Sequence, residues 1–479
     1  MRSSPMRYLQ CLFVAFCVLL LTHASQAYAT SSQSQKRPHI VLFMSDDHTW
    51  HDAGPYGAKD VRTPNLVRLA RAGMRFDAAF AASPTCTPSR SAIYTGLFPF
   101  RNGAHANHSL VRDELRTLPH RMKELGYRVV LAGKTHTGPR PIFPFENLKN
   151  SNVMPPGKNH VLWTDLNTAA VDQLLNEHDR KQPLCLVVCS HSPHVYWPEN
   201  DGYDPQQIQL PPYLLDTPEM RAARSRYYTD VTWMDHQVGE VREALKKHGY
   251  EKETLFLYTA DHGAQFPFAK WNLYEAGIRA PLLASWPGKV KPGSTTKALV
   301  SLVDLLPTFI KAASGDNTSD LDGRSFLPVL LGKSKQHRDE VFASHTGDGQ
   351  MNRSPMRSIR TERYKLIVNL APETPYKTHV SEGATEDGRS YWNSWVRLAE
   401  KDERAAEVIR RFRYRSAEEL YDLKNDPWEQ HDLAGKRAYA KVLAELREKL
   451  KAWRLQQGED LSKVPLPEDA RKGEIPYAK

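Results

Sequence analysis

Short apolar runs alternate with amphipathic segments along most of the sequence, and this alternation restricts the fold more than any other feature. Four runs rich in aliphatic and aromatic residues have the length and composition of buried strands: residues 39–44, 128–132, 184–188 and 254–259. The segments predicted as helices carry a Thr at or before the first turn and a Gly near the last turn: residues 64–73, 117–126 and 217–248. Alternating strands and helices form a mostly parallel sheet that helices cover on both faces. The sequence therefore predicts an α/β fold.

The pattern changes in the last third of the chain. Its segments predict a hairpin, a further strand and an amphipathic helix: residues 356–360, 364–368, 419–423 and 437–457. A chain of 479 residues also exceeds the length at which a single core usually stops growing. We therefore expect a large domain at residues 38–335 and a smaller C-terminal α+β subdomain with an antiparallel sheet at residues 336–479.

Residues 1–29 have the pattern of a signal peptide. Two arginines precede an apolar stretch at residues 9–21, and Ala27 and Ala29 offer a small-x-small cleavage pattern. The stretch is shorter than the roughly 20 residues of a membrane span, and an uncleaved anchor is the alternative. We expect a polar linker at residues 30–37 and an exported protein, periplasmic, secreted or lumenal, with no membrane contact after cleavage.

The formal net charge of +10 bears on the choice of partners. A basic surface attracts polyanions such as nucleic acid, acidic membranes and acidic glycans. The sequence contains no Lys/Arg run with interleaved aromatic residues of the kind that a nucleic-acid groove needs. The charge agrees with an anionic substrate, and also with an ordinary solvated surface, and we expect no nucleic-acid partner.

Side chains capable of acid–base or metal chemistry follow directly after each of the four predicted strands. They are Asp46, Asp47 and His48 after the first strand, Lys134 and His136 after the second, His191 and His194 after the third, and Asp261 and His262 after the fourth. The carboxyl ends of parallel strands lie at one edge of a sheet, where α/β proteins bind ligands. The sequence therefore predicts a catalytic site at this edge.

The carboxylates of Asp46, Asp47 and Asp261 would repel one another in a single pocket. A divalent cation with oxygen ligands relieves that repulsion, and Ca²⁺ tolerates the irregular geometry that loops provide. Paired Asp residues after a strand can instead form a helix cap or a turn. The pattern favours a metal site without excluding that alternative.

Cys86 is the cysteine that needs an explanation. Cys185 and Cys189 lie in a predicted strand and are expected to be buried and inert, whereas Cys86 lies in a polar, turn-rich loop. A helix predicted from Pro88 to residue 95 places Cys86 just outside a helix N-terminus, where the dipole favours anions. Arg90 can point back to the same pocket. A thiolate nucleophile and a structural cysteine are the alternatives.

The segment 84–90 carries a Cys-x-Pro-Ser-Arg motif, followed by Thr95 and Gly96. Through this motif the chain resembles the type I, formylglycine-dependent sulfatases from about residue 38 to beyond residue 450. The resemblance implies an alkaline-phosphatase-like sulfatase fold and hydrolysis of sulfate groups. It also implies conversion of Cys86 to formylglycine by a formylglycine-generating enzyme, and a homodimer is compatible with it.

Within that family the chain looks most similar to the N-sulfoglucosamine sulfohydrolases, through the segments 133–139, 272–274, 355–358 and 419–422. The resemblance implies Ca²⁺ held by these ligands: Asp46, Asp47, Cys86 as formylglycine, Asp261 and His262. It implies that sulfate oxygens are held by Arg90, Lys134 and Lys270. His191 is then the candidate general acid for the leaving group, and His136 the candidate base for the second hydroxyl of the hydrated aldehyde.

Three departures from the sulfamidase pattern bear on the substrate. Sulfamidases have Asn in place of His262, an Arg-bearing pattern in place of Lys270, and a different segment at 345–353. The residues considered as glycan contacts are His48, His194, His345 and Arg353, and Trp392 and Trp395 are considered either as stacking residues or as core.

Several functions remain open on these observations. A sulfated carbohydrate is the expected substrate, most closely a glucosamine N-sulfate, and an O-sulfated polysaccharide such as an algal glycan is the runner-up. A phosphodiesterase or phosphonate hydrolase of the same superfamily can use the same modified cysteine, although the resemblance implies that such enzymes usually hold their metal with more His ligands. A catalytically inactive glycan-binding protein is the possibility that involves no reaction.

Overall fold

A computed structural model describes residues 37–473 and Ile475. The signal peptide predicted at residues 1–29 lies outside the described residues, as does the linker except for Arg37. From Pro38 onward the chain forms one compact unit, so the proposed boundary between residues 335 and 336 stays a prediction. Among the described residues there is no helix with the length and apolar character that crossing a membrane requires.

The strands of the described chain form one large sheet, one smaller sheet and two short pairs. In chain order they are β1 His39–Ser45, β2 Met74–Phe76, β3 Ala79–Phe80, β4 Arg128–Gly133, β5 Glu146–Asn147, β6 Asn152–Val153, β7 Asp165–Leu166, β8 Leu184–Cys189, β9 Thr254–Ala260, β10 Leu282–Ser285, β11 Ser294–Thr296, β12 Val300–Ser301, β13 Glu340–His345, β14 Met356–Thr361, β15 Tyr364–Asn369 and β16 Glu418–Asp422. The large sheet has the order β11-β2-β10-β9-β1-β8-β4-β5. The pairs β10–β9 and β10–β2 are antiparallel and the other pairs of the large sheet are parallel, so the sheet is mixed but mostly parallel.

The longer helices pack around these sheets. They are α1 Pro64–Ala72, α2 Cys86–Thr95, α3 Leu118–Glu124, α4 Thr168–Glu177, α5 Pro218–Lys247, α6 Leu305–Ala312, α7 Ser390–Ala399, α8 Glu403–Arg413 and α9 Ala440–Gln456. Shorter helical segments lie at Pro99–Asn102, Glu275–Ile278, Leu327–Leu330 and His379–Glu382. Several begin as the sequence predicts; for example, Thr217 caps α5 by accepting a hydrogen bond from the Met220 amide.

The large sheet separates two hydrophobic cores, which explains its continuous apolar strands. Successive residues of β1 alternate between the cores: Val41 and Phe43 belong to one, and Ile40, Leu42 and Met44 to the other. Every residue of β1 is buried, as expected for a central strand with helices on both faces. The structure thus confirms the predicted α/β architecture.

The smaller sheet, β13-β14-β15-β16, is antiparallel throughout. The predicted hairpin is present as β14 and β15, whereas β13 was not predicted. Helix α9 covers this sheet with its apolar face, which consists of Leu443, Leu446, Leu450 and Trp453. The same core includes Ala92 of α2, so the second sheet supports the helix that carries Cys86.

Candidate active site

The carboxyl ends of four adjacent strands, β9, β1, β8 and β4, meet around one thiol. The Sγ atom of Cys86 lies 3.5 Å from Asp46 Oδ1 and 4.0 Å from Asp47 Oδ1, both at the end of β1. It lies 3.9 Å from Lys134 Nζ, beyond β4, and 3.3 Å from His262 Nε2, beyond β9. The structure therefore brings these side chains together around Cys86 at the carboxyl edge of the sheet, and their catalytic role stays a prediction.

Helix α2 begins at Cys86 and not at Pro88, which corrects the predicted start of the helix. Thr85 has extended backbone angles, and the Ser89 amide donates to its carbonyl, so the first turn already includes Cys86. The Thr87 amide, which no residue of the helix can satisfy, donates to Asn107 Oδ1 at 3.1 Å. This side-chain acceptor from a distant loop was not visible in the local sequence. The thiol consequently lies in the first turn, with 1% of Cys86 exposed.

Buried cations neutralise the carboxylates that surround Cys86. Arg90 donates to Asp261 Oδ2 at 2.9 Å and to Asp46 Oδ1 at 3.2 Å. Lys134 donates to Asp46, and Lys270 donates to Asp47 Oδ2 at 2.6 Å. Burial alone would raise the pKa of Asp46, but Lys134 and Arg90 hold it well below its usual range. Burial raises the pKa of Asp47, although Lys270 opposes that shift.

The oxygens of Asp46, Asp47 and Asp261 are arranged as a hard cation would require. One carboxylate oxygen from each lies within 4.8 Å of the others, and all three residues are buried. Burial is the main cause of the raised pKa of Asp47, and the nearby carboxylates of Asp46 and Asp261 add to it. The donor set therefore fits a divalent cation with oxygen ligands.

Two histidines place ring nitrogens beside this group of carboxylates. The Nδ1 atom of His262 is 2.9 Å from the carbonyl oxygen of Gly263, so it donates there and leaves the Nε2 lone pair facing Cys86. The same Nε2 atom of His262 is also 3.4 Å from Asp47 Oδ1. Nδ1 of His194 donates to the Val195 carbonyl in the same way, and its Nε2 lies 3.9 Å from Asp47 Oδ2. Both imidazoles are oriented by a backbone carbonyl.

His136 connects the site to a histidine and a carboxylate that the sequence analysis missed. Its Nε2 lies 3.1 Å from His108 Nδ1, and His108 Nε2 lies 3.4 Å from Asp348 Oδ1. Asp348 is buried and also accepts from Trp271 Nε1 at 2.7 Å and from Asn107 Nδ2 at 3.0 Å. His136 is fully buried, whereas half of the His108 side chain is exposed, so this row of side chains runs from the site to solvent.

Burial sets the protonation of the imidazoles near the site. It lowers the pKa of His136 well below the ordinary value, and Lys134 adds to the shift. It lowers the pKa of His191 to about 3, again with Lys134 contributing. Nε2 of His191 lies 2.9 Å from Asn152 Oδ1, an acceptor, so it carries the proton of a neutral ring. Both rings are neutral near pH 7.

Three of the four predicted glycan contacts are buried or paired with other protein groups in the structure. His48 is fully buried, donates from Nε2 to the Asp52 carbonyl and accepts from Tyr258. His345 is 1% exposed at the end of β13. Arg353 pairs at the surface with Glu468. Their glycan contacts stay predictions, and neither histidine presents an exposed surface in this structure.

The two candidate stacking tryptophans and the cysteines of β8 belong to the core. Trp392 and Trp395 are 1% and 0% exposed, and Trp392 packs against Phe412 with ring centroids 4.8 Å apart. They therefore present no face to a glycan here. Cys185 and Cys189 are buried free thiols in β8, as expected.

Comparison with known proteins bears on the family. The Sulfatase family matches residues 38–315, and the family described as N-sulphoglucosamine sulphohydrolase, C-terminal, matches residues 262–377. An ulvan-active sulfatase of Formosa agariphila is 32% identical over 90% of this chain and 83% of its own length. Human N-sulphoglucosamine sulphohydrolase is 30% identical over 93% of this chain and 94% of its own length.

Solved structures share the fold at lower identity. A 2-O GAG sulfatase, BT1596, superposes with a TM-score of 0.69 at 20% identity, over 90% of this chain and 94% of its own. A phosphonate monoester hydrolase of Agrobacterium radiobacter superposes with a TM-score of 0.66 at 19% identity, over 88% and 96%. These two likenesses concern the fold alone. The family match over more than half of the sequence, together with the two relatives at 30% identity or above, shows that the chain belongs to the sulfatase family, enzymes that hydrolyse sulfate esters or sulfamates.

Proposed function

We propose that this protein removes sulfate groups from a sulfated glycan, with Cys86 oxidised to formylglycine as its nucleophile and with Ca²⁺ bound beside it. The observation that supports the proposal most strongly is the arrangement of Asp46, Asp47, Lys134 and His262 within 4 Å of Cys86 Sγ. A thiol in this position has no use for three surrounding carboxylates, whereas a metal-assisted attack on sulfate does.

Two groups would complete the site. Ca²⁺ held by Asp46, Asp47, Asp261 and His262, together with residue 86, would supply a Lewis acid that lowers the pKa of a coordinated hydroxyl. Formylglycine at position 86, which a formylglycine-generating enzyme would produce during maturation, would supply a hydrated aldehyde with one hydroxyl for attack and one for sulfate release.

The chain's own cations are placed to hold the sulfate oxygens. Lys134 Nζ is 3.9 Å from Cys86 Sγ, so its ammonium can contact a sulfuryl group transferred at position 86. Nη1 of Arg90 is buried, and among the described residues no acceptor takes its hydrogen bond. Lys270 donates to Asp47, one of the carboxylates next to Cys86. These three cations would stabilise the charge that develops on the sulfate oxygens.

The neutral histidines supply the proton transfers in this proposal. His136 is the candidate base for the second hydroxyl, and His108 behind it leads to solvent. His191 is the candidate acid, a role for which its ring must first take up a second proton. The negative charge of a bound sulfate would raise its low pKa toward the range in which it can donate.

The substrate is assigned by similarity. Human N-sulphoglucosamine sulphohydrolase and the C-terminal family of that enzyme both match this chain, which supports a glucosamine N-sulfate. The ulvan-active sulfatase, at 32% identity, supports an O-sulfated polysaccharide as the second candidate. We further propose that residues 1–29 direct export, since a sulfated glycan outside the cytoplasm is the natural target of an exported enzyme.

Phosphonate hydrolysis and glycan binding without catalysis have less support. A phosphonate hydrolase shares the fold, but the oxygen-rich donor set of three Asp carboxylates agrees with the sulfatase pattern. An inactive glycan-binding protein would have no need for Arg90, Lys134, His136 and Lys270 around one thiol.

The experiment that tests the proposal is a measurement of sulfate release by protein that is co-expressed with a formylglycine-generating enzyme and loaded with Ca²⁺. The substrates are glucosamine N-sulfate and a panel of O-sulfated sugars, and Cys86→Ala is the control. Release from glucosamine N-sulfate that the control lacks supports a sulfamidase, and release from the panel alone supports the O-sulfatase. Absence of release from every substrate, with formylglycine confirmed at position 86, contradicts the proposal.

A further inference from the structure

Asp348 contacts three side chains that come from two other segments of the chain. Trp271 Nε1 and Asn107 Nδ2 donate to its Oδ2 at 2.7 Å and 3.0 Å, and His108 Nε2 lies 3.4 Å from its Oδ1. Burial alone would raise the pKa of Asp348, but its neighbours, His108 first, hold that pKa well below its usual range. Asp348 is therefore an ionised carboxylate, although only 7% of the residue is exposed.

The two donors to Oδ2 tie Asp348 to the segment that carries the nucleophile. The other side-chain atom of Asn107, Oδ1, accepts from the Thr87 amide in the first turn of α2. The Trp271 amide donates to the Pro84 carbonyl at 3.0 Å, just before that helix begins. The carboxylate therefore has a fixed position relative to the start of α2, and its second oxygen is held toward the neighbouring histidine.

Three residues of this arrangement have backbone angles in the left-handed region. The φ angle is 60° at His108, 48° at His136 and 65° at Trp271. Residues other than Gly rarely adopt this region, because their side chains then crowd the backbone. Such conformations persist only where the surrounding contacts impose them, and they concentrate at functional sites. The fold thus bears a conformational cost in the placement of these three rings.

The carboxylate of Asp348 selects one tautomer of His108. A lone pair on Nε2 of His108 would face a negative charge, whereas an N–H at that position donates to it. The Asn107 amide nitrogen also approaches Nε2, at 3.2 Å, and favours the opposite tautomer. Hydrogen bonds to an ionised partner are roughly twice as strong as those between neutral groups, so the carboxylate decides. Nε2 of neutral His108 therefore carries the proton, and Nδ1 is an acceptor.

The tautomer of His108 in turn sets that of His136. Nε2 of His136 lies 3.1 Å from Nδ1 of His108, so it carries the proton that Nδ1 accepts. Burial lowers the pKa of His136 well below its ordinary value, and the ring is neutral near pH 7. A neutral imidazole has one N–H, so the lone pair of His136 is on Nδ1, at the side of the ring away from His108.

We propose that Asp348 is a positioning residue for sulfate release, which acts through His108 to hold His136 in the tautomer whose Nδ1 can take a proton. This inference rests on the proposed function for the role of His136. The proton of the second hydroxyl binds Nδ1 of His136, the proton on Nε2 of His136 passes to Nδ1 of His108, and His108 loses a proton to solvent through its exposed half. The segment 345–353, in which the chain differs from the sulfamidases, serves the reaction through Asp348.

Asp348→Asn tests the proposal with little change in shape. The amide oxygen can still accept from Trp271 and Asn107, whereas the amide nitrogen donates to Nε2 of His108 and so reverses both tautomers. We expect kcat to fall by about 10²-fold, the lower end of the usual contribution of a general base, and KM to stay within about twofold. The matched control is Asp216→Asn, whose side chain is 61% exposed in the wild type, and it should keep the wild-type kcat.

A burst experiment separates this role from a structural one. Asp348→Asn should release one equivalent of desulfated sugar per formylglycine at the wild-type rate and then turn over slowly, since only sulfate release needs the base. In the His108→Gln background, Asp348→Asn should lower kcat by less than about twofold more. Slowing of the first turnover, an unchanged kcat, or a full 10²-fold loss in the His108→Gln background would each overturn the proposal.

The tautomers can also be measured without turnover. In ¹⁵N NMR spectra of the histidine-labelled wild type, assigned through His136→Gln and His108→Gln, the proton of His136 should lie on Nε2. A proton on Nδ1 of His136 overturns the proposal, and this measurement decides even if Asp348→Asn fails to fold. Absence of sulfate release from every substrate, by contrast, contradicts the proposed function and does not alter the tautomer result.

Discussion

At the scale of single residues, the environment of Cys86 combines burial with balanced charge. Asp46, Asp47 and Asp261 are offset by buried cations, and the thiol lies among them with almost no exposed surface. Burial and the carboxylate of Asp46 raise the pKa of the thiol well above its ordinary value, so unmodified Cys86 stays protonated at neutral pH. The fold therefore disfavours a thiolate at this position.

The first prediction concerns a hydroxyl at position 86. Cys86→Ser places one hydroxyl where the proposed hydrated aldehyde has two, so the variant should accept one sulfuryl group and release none. Mass spectrometry of the peptide should show a sulfated serine, and release of the desulfated sugar should not exceed one equivalent per protein. Multiple turnovers by this variant would contradict the role of the second hydroxyl.

The second prediction concerns the row His136, His108 and Asp348. His136→Gln should lower kcat by about 10²–10⁴-fold, the usual contribution of a general base. His108→Gln should lower kcat less, by about tenfold, because His108 orients His136 and does not touch the reacting atoms. KM should change little in both variants, and steady-state kinetics measure this split.

The matched control for this pair is His431→Gln, an exposed histidine remote in sequence from the row. Exogenous imidazole should partly restore His108→Gln, since half of the His108 side chain is open to solvent. A kcat for His108→Gln equal to that of the wild type would contradict the connection between the two histidines.

At the scale of secondary-structure elements, the local sequence predicts well where the strands of the central sheet begin and end. Each apolar run of the central sheet was predicted to within one or two residues, because a parallel strand buried on both faces is continuously apolar. The rule that ligands bind at the carboxyl ends of such strands then placed Asp46, Lys134, His191 and Asp261 together.

The parts of the site that were missed depend on contacts between distant segments. Asp348 reaches the site because Trp271 and Asn107 hold it, 77 and 241 residues away in sequence. Such contacts produce no periodic pattern in the sequence. The difference from the sulfamidases at residues 345–353 was the only indication that this region matters.

The third prediction concerns the ion pair that ties β14 to the segment after α9. Arg357 donates to Glu459 Oε1 at 2.8 Å, and both side chains are essentially buried. Glu459→Gln should lower the free energy of unfolding by about 3–5 kcal/mol, because it leaves the guanidinium buried without its counter-charge. Urea denaturation measures the change.

The exposed pair Arg410–Glu407 on α8 provides the comparison. Glu407→Gln should cost less than about 1 kcal/mol, as solvent-exposed ion pairs do. Equal effects of Glu459→Gln and Glu407→Gln would show that the buried pair does not hold the C-terminal segment in place.

At the scale of the whole molecule, the fourth prediction concerns stability in acid. Burial lowers the pKa of His345 from 6.5 to about 4, and the charges of Arg357 and Arg415 add to this, while Asn352 and Asp348 oppose it. Between about pH 6.5 and about pH 4, His345 is protonated in the unfolded chain and neutral in the folded chain. Stability contributed by neutral His345 is therefore full above pH 6.5 and lost as the pH falls to 4.

Thermal unfolding between pH 4 and pH 7 measures this effect. In His345→Gln the free energy of unfolding should fall less steeply with decreasing pH than in the wild type. The difference in slope should be up to about 1.4 kcal/mol per pH unit, the value for one proton. The exposed His431→Gln variant should keep the wild-type slope. A wild-type slope in His345→Gln would mean that His345 is not held in its neutral form by the fold.

The proposed function of the whole molecule depends on formylglycine at position 86. The most direct test is to prepare the protein with different amounts of co-expressed formylglycine-generating enzyme and to measure, for each preparation, the aldehyde fraction of the Cys86 peptide by mass spectrometry together with the rate of sulfate release. We expect the rate to rise in proportion to the aldehyde fraction and to be zero when that fraction is zero. Full activity in a preparation that contains only the Cys86 thiol would contradict it.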